Sequence, residues 1–261
     1  MSIGMSSAAF YGTGETEDQA AMLRDYPVEV CEVFLQTHSE YNAAFGALVK
    51  ERLAGLPCVS VHPKGGTQFE LDIFGRSDRQ GRDAMGLYER VCEAGEALGA
   101  RYYVLHGPFS VSGRLRVERI YRLRERVLRM RAVAESHGIE MLWENVNWCA
   151  LRDAEDVRMM ADILPEQRFV LDVKQAYRAD TTPFALLEAM GDRVRHVHAL
   201  DVDAGGKLCL PGQGVTDWKA LTRELRDRGY DGAVILEPYD WMARDPEALR
   251  RSLDFLQETW L

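Results

Sequence analysis

One pattern constrains this chain more than any other. Short apolar, β-branched runs alternate with longer helix-like segments from one end to the other. Strand-like runs are read at Ile3–Phe10, Val28–Gln36, Cys58–His62, Tyr102–His106, Glu140–Val146, Phe169–Lys174, Val194–Leu200 and Ala233–Glu237. Helical patterning is read near Glu17–Asp25, Ser39–Ala54, Arg79–Leu98, Val117–His137, Ala154–Leu164, Thr182–Met190, Asp217–Arg228 and Pro246–Thr259. Helix boundaries are marked by a cap and first-turn proline at Thr181–Pro183, and by Gly138 and Gly229 just past helix ends. Strands of this kind pair in parallel and need a helical crossover each time. Eight such units, at roughly 30 residues each, predict an α/β fold closed as a (β/α)8 barrel, one domain over 1–261. An open doubly wound sheet is the alternative, but no GxGxxG follows the first strand, and Gly12–Gly14 is too short a match. The stretch His62–Gly81 reads as a long loop after the third strand, a length that usually carries function. Within it, Pro63–Gly66 offers a plain turn or a phosphate cradle, the turn being favoured.

Charge and composition exclude some partners. The net charge of −9 argues against general affinity for a phosphate backbone, so no nucleic-acid partner is expected. The arginine-rich segment Arg114–Arg131 has apolar residues at helical spacing and interleaved glutamates, and reads as a solvated outer helix face. No apolar stretch is long enough for a membrane span. The N-terminal residues lack a basic segment before their short apolar run, so they do not read as a signal peptide. The five cysteines are scattered without a CxxC pair, as expected of reduced, buried thiols. A cytoplasmic protein is therefore expected, with homo-oligomerisation left open.

The ends of the later strands carry the chemistry. "MLWENV", "FVLDVKQA", "RHVHALD" and "VILEPY" each place one metal-capable side chain near a strand's C-terminal end: Glu144, Asp172, His198 and Glu237. Strand parity puts Leu142 and Val146 on the face of Glu144, Val170 on that of Asp172, and Ile235 on that of Glu237. If these faces line the barrel interior, the four groups form a half-ring at the C-terminal rim, where barrel active sites lie. Clustered carboxylates repel one another unless a cation sits among them. One imidazole with three carboxylates is a hard, mostly oxygen ligand set. It suits one divalent ion, Mn²⁺ first, with Mg²⁺, Co²⁺ or Zn²⁺ as alternatives. Taken singly, each residue would read as an ordinary buried or rim polar group.

These motifs also carry a family resemblance. "IGMSSAAF", "VEVCEVFL", "YYVLHGP", "LWENV", "FVLDVKQA", "VRHVHALD", "LPGQGVTDW" and "GYDGAVILEPY" resemble the sugar phosphate isomerase/epimerase superfamily of xylose isomerase-like barrels, over nearly the whole chain. The resemblance implies that Glu144, Asp172, His198 and Glu237 hold one divalent metal, with Glu144 and Glu237 as the catalytic acid/base pair. It implies an isomerase or epimerase of carbohydrate metabolism that acts on a small sugar, sugar phosphate or related ketose. Proton abstraction next to the carbonyl would pass through an enediolate. A dehydratase of the inosose or 3-dehydroshikimate type uses the same first step. A non-catalytic sugar-binding barrel would be expected to have lost a metal ligand, and none is lost.

The resemblance also orders the remaining candidates. His62 and His106 match zinc ligands of the related apurinic endonuclease branch. That branch also needs a His where Gln175 stands, and an Asp-x-His where "GKLCLPG" stands, so DNA repair is disfavoured. His62 and His106 are then read as substrate-binding groups. Gln175 replaces the His of most sugar-acting members, and can hydrogen-bond a substrate without carrying charge. Lys174 shares the parity of Asp172 and is read as inward-facing. Asn145 orients Glu144 or binds substrate, and Glu32 is either a partner behind the ligands or a structural ion-pair member. Phe10, Tyr11, Phe109, Trp143, Trp148 and Trp241 are candidates for an apolar wall, with core packing the default. His196 reads as core.

Overall fold

The computed structural model describes residues 1–64, 68–109 and 115–260. The strands are β1 (Ser2–Ser6), β2 (Val30–Leu35), β3 (Cys58–Pro63), β4 (Tyr102–Leu105), β5 (Glu140–Glu144), β6 (Arg168–Asp172), β7 (Val194–Ala199), β8 (Asp201–Val202), β9 (Leu208–Cys209) and β10 (Ala233–Leu236). Eight of them close a barrel in the order β1-β10-β7-β6-β5-β4-β3-β2, and every pairing in it is parallel. The other two, β8 and β9, make a small antiparallel hairpin just beyond β7. The single-domain (β/α)8 barrel expected from the alternation is the fold observed.

Helices follow the barrel strands at Thr16–Met22, Ala43–Leu53, Asp78–Leu98, Leu115–Ser136, Ala154–Ile163, Pro183–Met190, Trp218–Asp227 and Pro246–Trp260. The boundary signals act as read. Thr182 accepts the Ala185 N–H at 3.1 Å with Pro183 in the first turn, and Gly138 and Gly229 take left-handed φ of 68° and 76°. Among the described residues no helix is long and apolar enough to cross a membrane.

Parity sorts the two cores. One large apolar cluster fills the space between barrel and helices, including Met5, Val33, Val61, Tyr103, Trp143, Leu171, Val197 and Leu236. Alternate residues on the same strands form separate clusters: Tyr102, Val104, Leu142 and Val170 in one, Val30, Ala233 and Ile235 in the other. These sets contain Leu142, Val170 and Ile235, expected to share faces with Glu144, Asp172 and Glu237, so those three acids stand above the apolar plug of the barrel; Val146, also expected on the face of Glu144, belongs to neither set.

Three local expectations change. The first strand ends at Ser6, and Ser7–Phe10 turn as a 3-10 helix, because Ser6 Oγ accepts the Ala8 N–H at 3.3 Å and Ser7 Oγ takes the Phe34 N–H at 2.8 Å. The sixth strand ends at Asp172, whose Oδ1 accepts the Gln175 N–H at 2.8 Å and caps a helical turn over Val173–Arg178. Lys174 therefore lies on a helix, and strand parity does not govern its direction. Among the described residues after β3, a helix at Gln68–Ile73 that buries Phe69, Glu70 and Ile73 stands within the stretch read as a long loop. Gly65 and Gly66 of the candidate phosphate cradle lie outside the described residues.

The basic segment is partly used inside the fold. Arg114 and the side chains of Arg116, Arg119 and Arg122 lie outside what is described. Arg126 donates to the carbonyls of Ile73 and Gly75 at 2.7 and 2.6 Å and pairs with Asp78, and Arg124 donates to the Ile163 carbonyl at 3.1 Å. These arginines tie the helix to its neighbours. Four of the five cysteines are buried, all five are free thiols, and Cys209 is half-buried.

Candidate active site

Four adjacent strands, β5, β6, β7 and β10, bring their C-terminal ends to one point at the barrel mouth. His198, on β7, is fully buried and its Nδ1 is the centre of the arrangement. Glu144 Oε1 lies 3.0 Å from it, Glu237 Oε2 3.6 Å and Asp172 Oδ2 3.9 Å. Donor atoms of the four residues all lie within 4.8 Å of one another. Two donors on one ion at ~2.1–2.4 Å can be no farther apart than about twice that length, so the set fits a single divalent cation.

Behind the ring stands Glu32. Its Oε2 is 3.1 Å from His198 Nε2 and 3.4 Å from His196 Nε2, and it accepts the Ser60 hydroxyl at 2.8 Å. A ring hydrogen on Nε2 directed at Glu32 would leave Nδ1 of His198 free to ligate an ion placed among the three acids. That is how ligating imidazoles are usually oriented. His196 is buried as expected, within this polar layer of the barrel interior.

The electrostatics are those of packed acids compensated by nearby positive groups. Burial alone would raise the Glu144 carboxyl, but the charges and hydrogen bonds of His106 and His198 hold it well below the usual carboxylate range. Asp172 is pushed up to about 7, chiefly by burial, with the acids beside it adding to the rise and Lys174 opposing it. His198 is desolvated, yet Glu32, Glu237 and Glu144 raise it well above an ordinary histidine. His62 is pushed down to about 4 by burial and by the charge of His106, which leaves it a neutral ring at neutral pH.

The imidazoles and the ammonium around the acids are placed by neighbouring elements. His106, following β4, puts Nε2 at 2.8 Å from Glu144 Oε2. His62 on β3 lies 3.7 Å from Glu144 and 3.9 Å from Glu237. Lys174 is buried, and its Nζ donates to both Asp172 Oδ2 and Glu237 Oε2. The first turn of the Val173–Arg178 helix aims it there.

A cavity of about 260 Å³ opens directly above these groups. Its wall includes His62, His106, Glu144, Lys174, Gln175 and Glu237. Asn145 does not reach it. That side chain is fully buried, and its Nδ2 donates to the Asp172 carbonyl at 2.9 Å while Oδ1 takes the Asp172 N–H at 2.8 Å. It clamps the strand end that carries Asp172. Gln175 is held too, accepting the Asn147 N–H at 3.3 Å. The aromatic candidates divide. Trp148 and Tyr11 line the cavity, whereas Trp143 and Phe10 are core residues. Phe109 packs on Trp148 at 5.0 Å between ring centroids, and Trp241 is exposed. Lys64, the lysine of the candidate phosphate cradle, also borders the cavity, as do Arg178 and Tyr239, which the sequence reading did not single out. Lys64 and Tyr239 lie one and three residues beyond a strand end, and Arg178 closes the helix that follows β6.

The family model described as xylose isomerase-like TIM barrel matches residues 18–259, and the chain belongs to that family. Fructoselysine 3-epimerase of Escherichia coli O157:H7 is 26% identical over 136 residues, which cover 50% of this chain and 50% of that protein. Inosose dehydratase of Bacillus licheniformis is also 26% identical over 136 residues, covering 44% of this chain and 45% of the relative. The chain thus matches about half the length of these curated relatives. A crystal structure of D-psicose 3-epimerase in the presence of D-fructose superimposes with a TM-score of 0.79 at 17% identity, covering 100% of this chain and 99% of that one. At that identity the likeness is one of fold.

Proposed function

We propose that this protein is a divalent-metal-dependent sugar epimerase or isomerase. It acts on a small ketose, sugar phosphate or related polyol-ketone by relocating a proton next to the carbonyl. The observation that carries the reading is the convergence of Glu144, Asp172 and Glu237 on Nδ1 of His198 at the cavity floor. These four residues would hold the ion, and Mn²⁺ is the first candidate for so oxygen-rich a set. Bound there, it supplies a Lewis acid for a carbonyl oxygen and favours the charge that develops as an enediolate forms.

The rest of the chemistry falls to the chain. Glu144, kept ionised by its imidazole neighbours, takes the proton from the carbon beside the carbonyl. Glu237 lies across two intervening barrel strands and is partly open to the cavity; in its protonated form it gives its proton to the opposite face or to the neighbouring carbon, while Glu144 keeps the proton it took. The first outcome is epimerisation, the second aldose–ketose isomerisation. His62, neutral and buried, can donate and accept a hydrogen bond to substrate hydroxyls, and His106 can reach them from beside Glu144. Gln175 contributes an uncharged polar contact. Trp148 offers its ring to the apolar side of a sugar.

The likeness to inosose dehydratase favours one further reading: the same proton removal followed by loss of the β-hydroxyl. One experiment separates them. Metal-loaded protein is incubated with ketoses, aldoses and inososes in D₂O and followed by NMR. Deuterium entering beside a carbonyl with the carbon skeleton and its oxygens kept is the expected result. Loss of a hydroxyl with formation of a new dione or enol identifies the dehydratase, and no exchange in any compound would sink both.

A further inference from the structure

We propose that the ammonium of Lys174 is a built-in cation of the carboxylate centre. It holds the metal-facing oxygens of Asp172 and Glu237 and has to leave them before a divalent ion can bind. The inference deepens the reading of Glu144, Asp172, His198 and Glu237 as a metal site and rests on it.

The atoms involved are specific. Asp172 has two carboxylate oxygens: Oδ1 caps the following helix turn by accepting the Gln175 N–H, and Oδ2 faces the His198 ring. Lys174 takes Oδ2. In Glu237, Oε2 is the oxygen facing His198 Nδ1, and Lys174 takes that one as well. Of the three carboxylate oxygens that converge on Nδ1, two are therefore held by one nitrogen. Glu144 Oε1 alone is left to the imidazole. The contact is also a buried one, with only 5% of the Lys174 side chain exposed.

The physics makes the two cations exclusive. A buried ammonium is stable only when paired, and two buried acids side by side are stable only when a positive charge stands between them. Lys174 meets both conditions without any ion. A divalent ion ligated by the same oxygens would lie within a few ångströms of Nζ, where like-charge repulsion in a water-poor site is large. The lysine stem is long and rotatable, and it already forms part of the cavity wall, so the displaced ammonium has somewhere to go. Metal affinity is then set by a competition inside the chain, and Gln175, which carries no charge, cannot take over the neutralising role.

The test is Mn²⁺ binding to metal-stripped protein, read from the loss of the free-ion EPR signal. It compares the parent, Lys174→Met, which keeps the bulk of the stem without its charge, and Lys174→Arg, which keeps the charge. Lys174→Met is expected to bind Mn²⁺ about tenfold or more tightly than the parent, within the range by which neighbours of ligands shift affinity, while Lys174→Arg binds no tighter than the parent. Thermal unfolding gives a second readout: added Mn²⁺ should raise the melting temperature of Lys174→Met more than that of the parent. A Met variant that folds only when Mn²⁺ is supplied, beside a parent that folds in EDTA, supports the same role. Equal Mn²⁺ affinity in parent and Met variant overturns this inference and leaves the metal-dependent function standing. No Mn²⁺ binding by either overturns both.

Discussion

Two buried carboxylate settings lie within one strand turn of each other and are built on opposite principles. Asp201 follows β7 and is fully buried. Its Oδ1 accepts from the N–H of Val202 at 2.8 Å, the N–H of Thr216 at 3.3 Å and the Thr216 hydroxyl at 2.6 Å, and its Oδ2 takes the Trp218 indole N–H at 2.9 Å. Every partner is neutral and fixed to the chain. The acids around His198, three residues earlier, face imidazoles and an ammonium instead. A carboxylate surrounded by neutral donors fastens a loop, and one balanced by groups that can titrate or swing away is available for chemistry. The partners, more than the burial, separate scaffold from site.

That contrast can be broken in four places. Glu144→Gln should lower the exchange rate by about 10²–10⁴-fold, the usual worth of a general base, as measured by deuterium uptake into substrate. It should cost less stability than Asp201→Ala. For Asp201→Ala, urea unfolding should show a loss of about 3–5 kcal/mol, because two backbone N–H groups, a hydroxyl and an indole lose their acceptor together. Activity per folded molecule should survive. If the two variants exchange these effects, the distinction between fastening and reacting acids fails.

Glu70 is a third kind of buried acid. Its main partner is the Tyr103 hydroxyl, donated at 2.7 Å, and burial is the largest cause of a rise from 4.5 to about 7. A group raised on folding contributes stability in full below its unfolded value, and that stability is lost as pH rises through the folded value. Between pH 4.5 and about 7 the parent should therefore lose about 3 kcal/mol that Glu70→Gln does not lose. Unfolding of the two proteins at pH 5 and pH 8 checks this. Parallel pH profiles would place an ionised Glu70 in the fold. The smallest effect is expected at Glu32→Gln, which weakens the orientation of His198 and should reduce Mn²⁺ affinity by about 10–100-fold with the four ligands intact.

The legible part of this molecule was whatever repeats. Strand parity placed Glu144, Asp172 and Glu237 correctly above Leu142, Val170 and Ile235, since a barrel interior imposes period two on every strand. What escaped was decided by single side chains acting on backbone. Asp172 caps a helix turn and so moved Lys174 off the strand, and Asn145 bonds the main chain of its neighbour strand instead of Glu144 or a ligand. Asp201 was invisible because Thr216 and Trp218, its donors, lie 15 and 17 residues away in sequence. Glu70 was hidden inside a stretch whose turn residues suggested an irregular loop.

The clamp made by Asn145 has a consequence for redesign. It grips Asp172 through that residue's own N–H and carbonyl, so it secures position 172 without regard to the side chain carried there. The location of the ligand and its identity are held by different atoms. A histidine or cysteine placed at 172 would inherit a strand end already fixed in space, although the helix turn beyond it would lose its cap. On the proposed reading the barrel mouth is a socket, whose hardness toward metals could be changed one residue at a time.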